Sequence, residues 1–191
     1  MRVIAGIAKG RKLVAPKGRE VRPTADRIKE ALFDILEEKI KESKVLDLYA
    51  GAGSLGIEAL SRGAEFAVFV DDNPSSIRVL KRNLEHTGFS QKARILKNKV
   101  EVIVKRLLEE NEEFNLIFLD PPYKINVVEL SSVLNKNAGF LAPEGVAVLE
   151  HSSRRAPIPI ENLEIQFTRR YGDTALSFYS KIKSGEHLKH K

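Results

Sequence analysis

Short runs rich in apolar residues alternate with stretches of helical spacing between residues 44 and 150. Apolar runs without a helical period predict buried strands, and apolar residues spaced three and four apart predict amphipathic helices. Strands that alternate with helices in this way indicate an α/β fold whose parallel sheet is covered on both faces. The predicted strands cover residues 45–49, 66–71, 94–97, 115–119 and 146–150, and the predicted helices cover residues 54–62, 74–87, 100–109 and 127–135.

The C-terminal part of the chain departs from this alternation. Two further strand patterns, at residues 163–169 and 175–182, are joined by a connection around Tyr171-Gly172-Asp173. Because that connection is too short for a crossover helix, the two strands are predicted to pair antiparallel. The sequence therefore predicts a sheet of seven strands, mostly parallel, with an antiparallel strand at the end.

A small basic hairpin is predicted ahead of the sheet. Residues 2–8 and 12–15 have the pattern of two short strands around the turn Lys9-Gly10-Arg11. Thr24 is then predicted to cap a helix that runs to about Ser43, because apolar residues recur after it at helical spacing. We expect three parts: an N-terminal hairpin extension at residues 1–23, the sheet domain at 24–183 and a flexible tail at 184–191.

The composition is typical of a soluble globular protein. The 191 residues are 42% hydrophobic and 30% charged, enough for one well-buried domain, and no apolar run approaches membrane-spanning length. The absence of cysteine excludes disulfides, cysteine-based zinc sites and thiol catalysis. With only four histidines, we expect no metal site. Because no apolar run is long enough to span a membrane, we also expect no membrane partner and a cytoplasmic location.

The net charge of +6 is concentrated at one end of the chain. Residues 1–30 carry nine lysines and arginines against three acids, a net charge of +6, so the other 161 residues are neutral overall, with 23 charges of each sign. Basic residues interleaved with apolar ones favour a nucleic acid as partner over a merely solvated tail. The nine basic residues are Arg2, Lys9, Arg11, Lys12, Lys17, Arg19, Arg22, Arg27 and Lys29.

A proline-rich corner follows the predicted strand Asn115–Leu119. Asp120 stands where the strand leaves the sheet, and Pro121 and Pro122 then prevent both a helix and a continued strand. Ligands of open α/β sheets bind at the carboxyl ends of the strands, so a stiff segment with one carboxylate, free carbonyls and the ring of Tyr123 suits an amino group. The alternative is an ordinary turn, for which Asp and Pro are common residues.

A glycine-rich turn follows the first predicted strand and opens a helix. Gly51, Gly53 and Gly56 fit the pattern G-x-G-x-x-G, and Asp71 stands 20 residues beyond Gly51 at the end of the next strand. This arrangement is typical of sites that bind an adenosine cofactor, with the acid on the ribose hydroxyls. The candidate cofactor-binding residues here are Asp47, Tyr49, Ala50, Gly51, Gly53, Ser54, Gly56, Asp71 and Asp72.

Two cofactors fit this turn, a nicotinamide dinucleotide and S-adenosylmethionine. The chain has no room for a separate substrate domain after a dinucleotide-binding half. Asp47 would repel a pyrophosphate but can accept a hydrogen bond from an ammonium group. Asp120 and Tyr123 offer a carboxylate and an aromatic face to a sulfonium cation. These features favour S-adenosylmethionine and methyl transfer.

The same residues resemble those of class I methyltransferases that act on exocyclic amino groups of bases. More narrowly, residues 2–13 (R-V-I-A-G-I-A-K-G-R-K-L), residues 22–33 and Tyr171-Gly172-Asp173-Thr174 are similar to the RsmD-type family of 16S ribosomal RNA guanine-N2 methyltransferases, over nearly the whole chain. The D-P-P-Y motif is shared with adenine-N6 and other amino methyltransferases. An adenine-N6 enzyme, a nicotinamide-dependent reductase and a non-catalytic RNA-binding module therefore stay open as alternatives.

The resemblance implies a Rossmann-like class I fold and a substrate in 16S ribosomal RNA, in the small subunit or an assembly intermediate. It implies that Asp120, Pro121, Pro122 and Tyr123 hold the target base, with Tyr123 stacked on it. Family members often have Glu at the position of Asp71. After the third strand the adenine contact is assigned to Asn98, because its neighbour Lys99 cannot accept a hydrogen bond. The expected RNA-binding residues are Arg2, Lys9, Arg11, Lys12, Arg22, Thr24 and Arg27.

Overall fold

The helices and strands follow the predicted alternation. The computed structural model describes residues 1–15, 23–122, 135 and 139–182, apart from the side chains of residues 23–25. The helices are α1 (Pro23–Ile35), α2 (Glu37–Ile40), α3 (Ser54–Ser61), α4 (Pro74–Thr87) and α5 (Val100–Glu109), with a short 3-10 helix at Ser90–Lys92. The strands are β1 (Lys44–Leu48), β2 (Phe66–Asp71), β3 (Ala93–Lys97), β4 (Phe114–Leu119), β5 (Leu141–Ser152), β6 (Leu163–Tyr171) and β7 (Thr174–Lys181).

The strands form one seven-stranded sheet in the order β3-β2-β1-β4-β5-β7-β6. Strands β3, β2, β1, β4 and β5 are parallel, whereas β7 is antiparallel to both β5 and β6. The predicted sheet is confirmed. Strands β1, β2, β4 and β5 consequently end on the same side, which we call the carboxyl end of the sheet.

Both faces of the sheet are buried at the central parallel strands β1, β2 and β4, as such strands require. Alternate residues of β1, β2 and β4 contact α1, α3, α4 and the N-terminal segment on one face, and α5 on the other. On the first face the rings of Phe33 and Phe118 lie 5.6 Å apart at 52°. Burying each such ring stabilises the fold by about 1.5–3 kcal/mol. Asp47, in register with Phe69 and Phe118, shares this first face.

Strand β5 begins earlier than its predicted start at residue 146. Phe114 of β4 pairs with Leu141, and a register shift then leads to the pair Leu116 and Val146. A bulge of this kind absorbs extra residues in one strand without ending the pairing. The sequence around Pro143 is typical of a turn, which is why the pattern of side chains did not predict this part of the strand.

The predicted N-terminal hairpin is not confirmed. Residues 1–15 contain one antiparallel bridge, between Arg2 and Lys12, instead of two strands. The reason is that backbone groups needed for strand pairing bond to α3. The N–H groups of Ile4 and Ala5 donate to the carboxylate of Glu58, at 2.8 and 3.0 Å, and the N–H of Ala8 donates to Ser61 Oγ at 3.0 Å.

The prediction of one continuous helix from Thr24 to Ser43 was wrong. Pro23 is itself the first residue of α1, a position that suits its fixed φ and missing N–H, so Thr24 lies inside the helix. α1 ends at Ile35, and the short α2 follows it. Glu42 then has φ of 60°, and its N–H donates to the carbonyl of Gly63, so the chain turns into β1.

Some predictions fall outside the described residues. These are the helix at 127–135 apart from Asn135, the tail at 184–191, and most of the connector between the N-terminal segment and α1. Among the residues that the structure describes, no helix is long and apolar enough to cross a membrane.

Candidate active site at the carboxyl end of the sheet

The glycine-rich turn joins β1 to α3 through backbone conformations that favour glycine. Gly51 and Gly53 have φ of 56° and 81°, and Tyr49 has φ of 63°. Gly56 has a different role, since a Cβ on it would lie 2.3 Å from the ring of Phe69. Gly56 thus allows α3 to pack closely on β2, and the turn presents its backbone at the N-terminus of α3, where anionic groups are stabilised.

Asp71 fixes the glycine turn from the end of β2. Its Oδ2 accepts a hydrogen bond from the N–H of Gly51 at 2.8 Å, and its Oδ1 accepts from the N–H of Asn73 at 2.8 Å. Each carboxylate oxygen has a second lone pair, so both can still accept from a ligand hydroxyl. Asp71 is half-buried and its neighbour Asp72 is exposed. The spacing of 20 residues between Gly51 and Asp71 is therefore a direct contact in the fold.

Asp47 is a buried carboxylate beneath the same turn. It is 2% exposed, and its Oδ2 accepts from the N–H of Gly56 at 2.9 Å. Burial, together with the charges of Asp120 and Asp71, raises the pKa of Asp47 to about 7, although the bond from Gly56 opposes this shift. The site therefore contains an acid that titrates near neutral pH and responds to any cation placed beside it.

Asp120 lies directly after β4, at the same level as the glycine turn. Leu119 pairs with Leu48 of β1 and with Leu149 of β5, so the next residue of β4 stands beside the residues that follow them. Asp120 is exposed, Pro121 is half-buried and Pro122 is exposed, and Tyr123 lies outside the described residues. The charge of Asp120 acts on Asp47, so the corner and the turn form one acidic region.

Glu150 is an acid of this region that no sequence motif singled out. It is half-buried at the carboxyl end of β5, one residue after Leu149. Burial, and then the charge of Asp120, raises the pKa of Glu150 to about 8. Parallel register alone would have indicated its position, since two parallel strands with Leu119 and Leu149 in register bring Asp120 and Glu150 to the same level.

Asn98 and Lys99 follow β3, and both side chains are exposed. The Oδ1 of Asn98 accepts a hydrogen bond from the N–H of Lys99 at 2.8 Å. Lys99 precedes the first turn of α5 as its N-cap residue. The predicted adenine contact of Asn98 stays a prediction, and its side-chain oxygen already satisfies a backbone donor at the start of α5.

Of the N-terminal basic residues that the structure describes, five are exposed and one, Lys29, is buried. Arg2, Lys9, Arg11, Lys12 and Arg27 are exposed. Arg11 donates to the carbonyl of His86 in α4 at 2.6 Å, and Arg2 lies 3.8 Å from Asp26. Arg22 and the side chain of Thr24 lie outside the described residues. The exposed group can reach a polyanion.

Lys29 is the buried one, and it cannot contact RNA from its position. It is 4% exposed and lies 3.3 Å from Glu58, which is fully buried. Its ammonium also donates to the carbonyl of Arg2 at 2.6 Å and to Ser54 Oγ at 3.3 Å. Burial lowers the pKa of Lys29, and the charge of Glu58 opposes that shift. This pair ties the N-terminal segment to α1 and to the start of α3.

Comparisons with known proteins relate the chain to methyltransferases. A family model described as "Conserved hypothetical protein 95" matches residues 1–180. Proteins named ribosomal RNA small subunit methyltransferase D are 32% identical over 179 residues in Haemophilus influenzae, covering 94% of this chain and 93% of the relative, and 31% identical over 187 residues in Escherichia coli K12, covering 97% and 92%. A solved structure of a hypothetical protein from Thermus thermophilus has a TM-score of 0.82 and 30% identity, covering 95% of this chain and 99% of that one.

Proposed function

The chain belongs to the family described as conserved hypothetical protein 95, that of the RsmD-type enzymes, and we propose that it transfers a methyl group from S-adenosylmethionine to the exocyclic N2 amine of a guanine in 16S ribosomal RNA. Its fold is that of the class I methyltransferases. The substrate in this proposal is the RNA of the small subunit or of an assembly intermediate, in the cytoplasm.

One observation carries the proposal more than any other. The glycine turn, held by Asp71, stands beside Asp47, Asp120 and Glu150 at one end of the sheet. Four acidic residues in the site of a protein with a net charge of +6 suit a cationic methyl donor and an anionic substrate, because a cation beside Asp47 and Glu150 favours the ionised form of each. The pyrophosphate of a nicotinamide dinucleotide would meet these acids with the wrong charge.

The residues at the turn fit the functional groups of S-adenosylmethionine. Asp71 retains acceptor capacity for ribose hydroxyls, and the acids at the carboxyl end can accept from its ammonium group. When bound, this cofactor supplies a methyl group on a sulfonium centre, whose sulfur keeps the bonding electron pair as the methyl leaves. The other tasks, orientation of the amine and uptake of its proton, fall to the chain.

Asp120 and Pro121 perform those tasks in this proposal. The amine lone pair of a purine is delocalised into the ring, so the amine is a poor nucleophile. Asp120 accepts one N–H and the carbonyl of Pro121 accepts the other, which directs the lone pair out of the amine toward the methyl carbon. Such orientation can lower the barrier by about 7–11 kcal/mol. The nitrogen gains the methyl group and loses one proton, which the carboxylate of Asp120 takes up. Tyr123 is assigned to stack on the base.

The pKa of Asp47 gives the cofactor affinity an expected pH dependence. Asp47 is protonated below about pH 7, and a cation beside it favours the ionised form, so binding of S-adenosylmethionine should release a proton there. Affinity should therefore rise as the pH rises through about 7. Calorimetry in two buffers of different ionisation enthalpy counts the protons released.

The variant Asp47→Asn provides the control for this dependence. Asparagine keeps an oxygen that can accept from the N–H of Gly56, but it does not titrate. It should reduce both the proton release and the rise in affinity with pH. Proton release that is absent in the unmodified protein, or equal in the two proteins, would contradict the assignment.

Nucleoside analysis of methylated RNA tests the proposed reaction. Small subunits from a strain that lacks this protein are incubated with the purified chain and labelled S-adenosylmethionine, and the RNA is digested to nucleosides. The expected product is N2-methylguanosine in 16S ribosomal RNA. N6-methyladenosine would indicate the adenine-N6 alternative, and no incorporation under conditions that allow RNA binding would indicate a non-catalytic RNA-binding protein.

A further inference from the structure

A second group of basic residues lies on the opposite side of the site from the N-terminal segment. The turn after β5 carries Arg154 and Arg155, and the end of β6 carries Arg169 and Arg170. All four are exposed; we call them the arginine cluster. The net charge of residues 31–191 is zero, but the positive charge is locally in excess here. The segments that carry the arginine cluster, residues 151–158 and 167–175, contain four arginines and one acid, Asp173.

The arginine cluster stands at the level of Asp120. Arg169 of β6 pairs with Leu176 of β7, and Leu176 pairs with Glu150 of β5. Glu150 is level with Asp120, because each comes one residue after the pair formed by Leu149 and Leu119. Residues paired directly across strands project from the same face of a sheet, so Arg169 and Glu150 share a face. Arg170, the next residue of β6, projects from the opposite face. Strands β4 and β6 are three strand spacings apart, or about 14 Å.

Contacts among its neighbours hold the backbone of the arginine cluster while its charges stay accessible. The N–H of Ser153 donates to the carbonyl of Asp173 at 2.9 Å, and Ser153 Oγ donates to the carbonyl of Gly172 at 2.7 Å. Arg154 lies 3.1 Å from Asp173, but their side chains are 82% and 86% exposed. An exposed pair of this kind contributes little and is easily exchanged for another anion.

We propose that the arginine cluster binds phosphates of the substrate RNA, so that the RNA contacts basic residues on both sides of the site. This inference rests on the proposed function. Arg2 lies on one side, because its carbonyl accepts from the Lys29 ammonium that also donates to Ser54 at the start of α3. The arginine cluster lies on β5 and β6 on the other side, and Asp120 stands between them in the strand order. The planar fork of arginine matches the oxygens of a phosphate. RNA held at both flanks would keep a target base over the corner at Asp120.

The test compares two double variants that each remove two adjacent positive charges. Arg169→Gln/Arg170→Gln changes the arginine cluster. Lys105→Gln/Arg106→Gln is the matched control, because both residues are exposed on α5 and have acid partners in the same helix or just after it, at Glu109 and Glu110. Affinity for 16S ribosomal RNA is measured over a series of salt concentrations, alongside affinity for S-adenosylmethionine and the rate of methyl transfer.

The cluster variant should bind RNA more weakly, with the slope of log affinity against log salt shallower by about 0.7 for each phosphate that the variant no longer neutralises. Its affinity for S-adenosylmethionine should not change, and its reduced transfer rate should recover at high RNA concentration. An unchanged slope, or one that falls equally in the control, would overturn the proposal even if the unmodified chain methylates RNA. Failure of the unmodified chain to bind RNA would overturn this proposal and the proposed function together.

Discussion

Replacing Asp120 with asparagine is expected to lower the rate of methyl transfer by about 10²–10⁴-fold, the usual contribution of a residue that exchanges a proton with the substrate. Asparagine cannot take up the proton that the amine loses, and its amide N–H groups oppose the amine hydrogens. Asp120 is exposed just after β4 and is not among the apolar residues buried on the two faces of the sheet, so the fold should persist. Transfer of a labelled methyl group to ribosomal RNA measures the effect.

The variant Asp34→Asn is the matched control for Asp120→Asn. Asp34 is 67% exposed on α1, and it makes a 3.7 Å ion pair with Arg62 away from the carboxyl end of the sheet. The variant Asp34→Asn removes one negative charge, as Asp120→Asn does, and it should retain full activity. Transfer by Asp120→Asn at the rate of the unmodified chain would contradict the role given to this carboxylate.

Replacing Glu58 with alanine is expected to destabilise the protein by about 3–5 kcal/mol, because it leaves the buried ammonium of Lys29 without its counter-charge. Glu58 is fully buried and also accepts from the N–H groups of Ile4 and Ala5 and from Arg62 Nε. Those donors would lose their partner as well. For a chain of this length the loss corresponds to a fall of about 6–20 °C in melting temperature.

The double variant Lys29→Met/Glu58→Leu separates the cost of an unpaired buried charge from the cost of lost side-chain packing. Because it removes both buried charges, it should recover the part of the loss that comes from the unpaired ammonium of Lys29. The N–H groups of Ile4 and Ala5 still lack their acceptor in this variant, so that part of the loss should remain. Chemical denaturation of the three proteins measures the free energy of unfolding. A change within about 0.5 kcal/mol for Glu58→Ala, the range of ordinary surface substitutions, would show that the pair does not hold the N-terminal segment.

The sheet and the glycine turn were predictable because local patterns encode them. Apolar runs such as residues 116–119 are buried on both faces of a parallel sheet, so their strand structure can be predicted without knowing which strands lie beside them. The spacing of 20 residues assigned Gly51 and Asp71 to one expected cofactor site, and the structure joins them by a hydrogen bond of 2.8 Å. In both cases the residues that matter lie within one strand or within one strand–helix–strand unit.

The N-terminal segment was not predictable in the same way. Its residues alternate as in a hairpin, but their backbone donors bond to Glu58 and Ser61, which stand more than 50 residues later in the chain. Lys29 was counted in the N-terminal basic excess on its charge alone. Its burial depends on an ion pair with Glu58 in α3, and no local sequence pattern predicts a contact between residues so far apart in the chain.

The acidic and basic groups at the carboxyl end illustrate the same limit. Glu150 and Arg169 are ordinary residues in their own segments, and they become neighbours of the site only through strand order. Composition gave the net charge of the chain correctly but not its distribution over the surface. Strand register therefore added Glu150 to the acidic region and revealed the arginine cluster.

A crystal structure of the chain with S-adenosylhomocysteine tests the central claim most directly. The account predicts that the ribose of this product bonds to Asp71, beside the turn at Gly51 and Gly53, and that its sulfur faces Asp120. A ligand bound elsewhere, or an Asp120 side chain directed away from the sulfur, would contradict it.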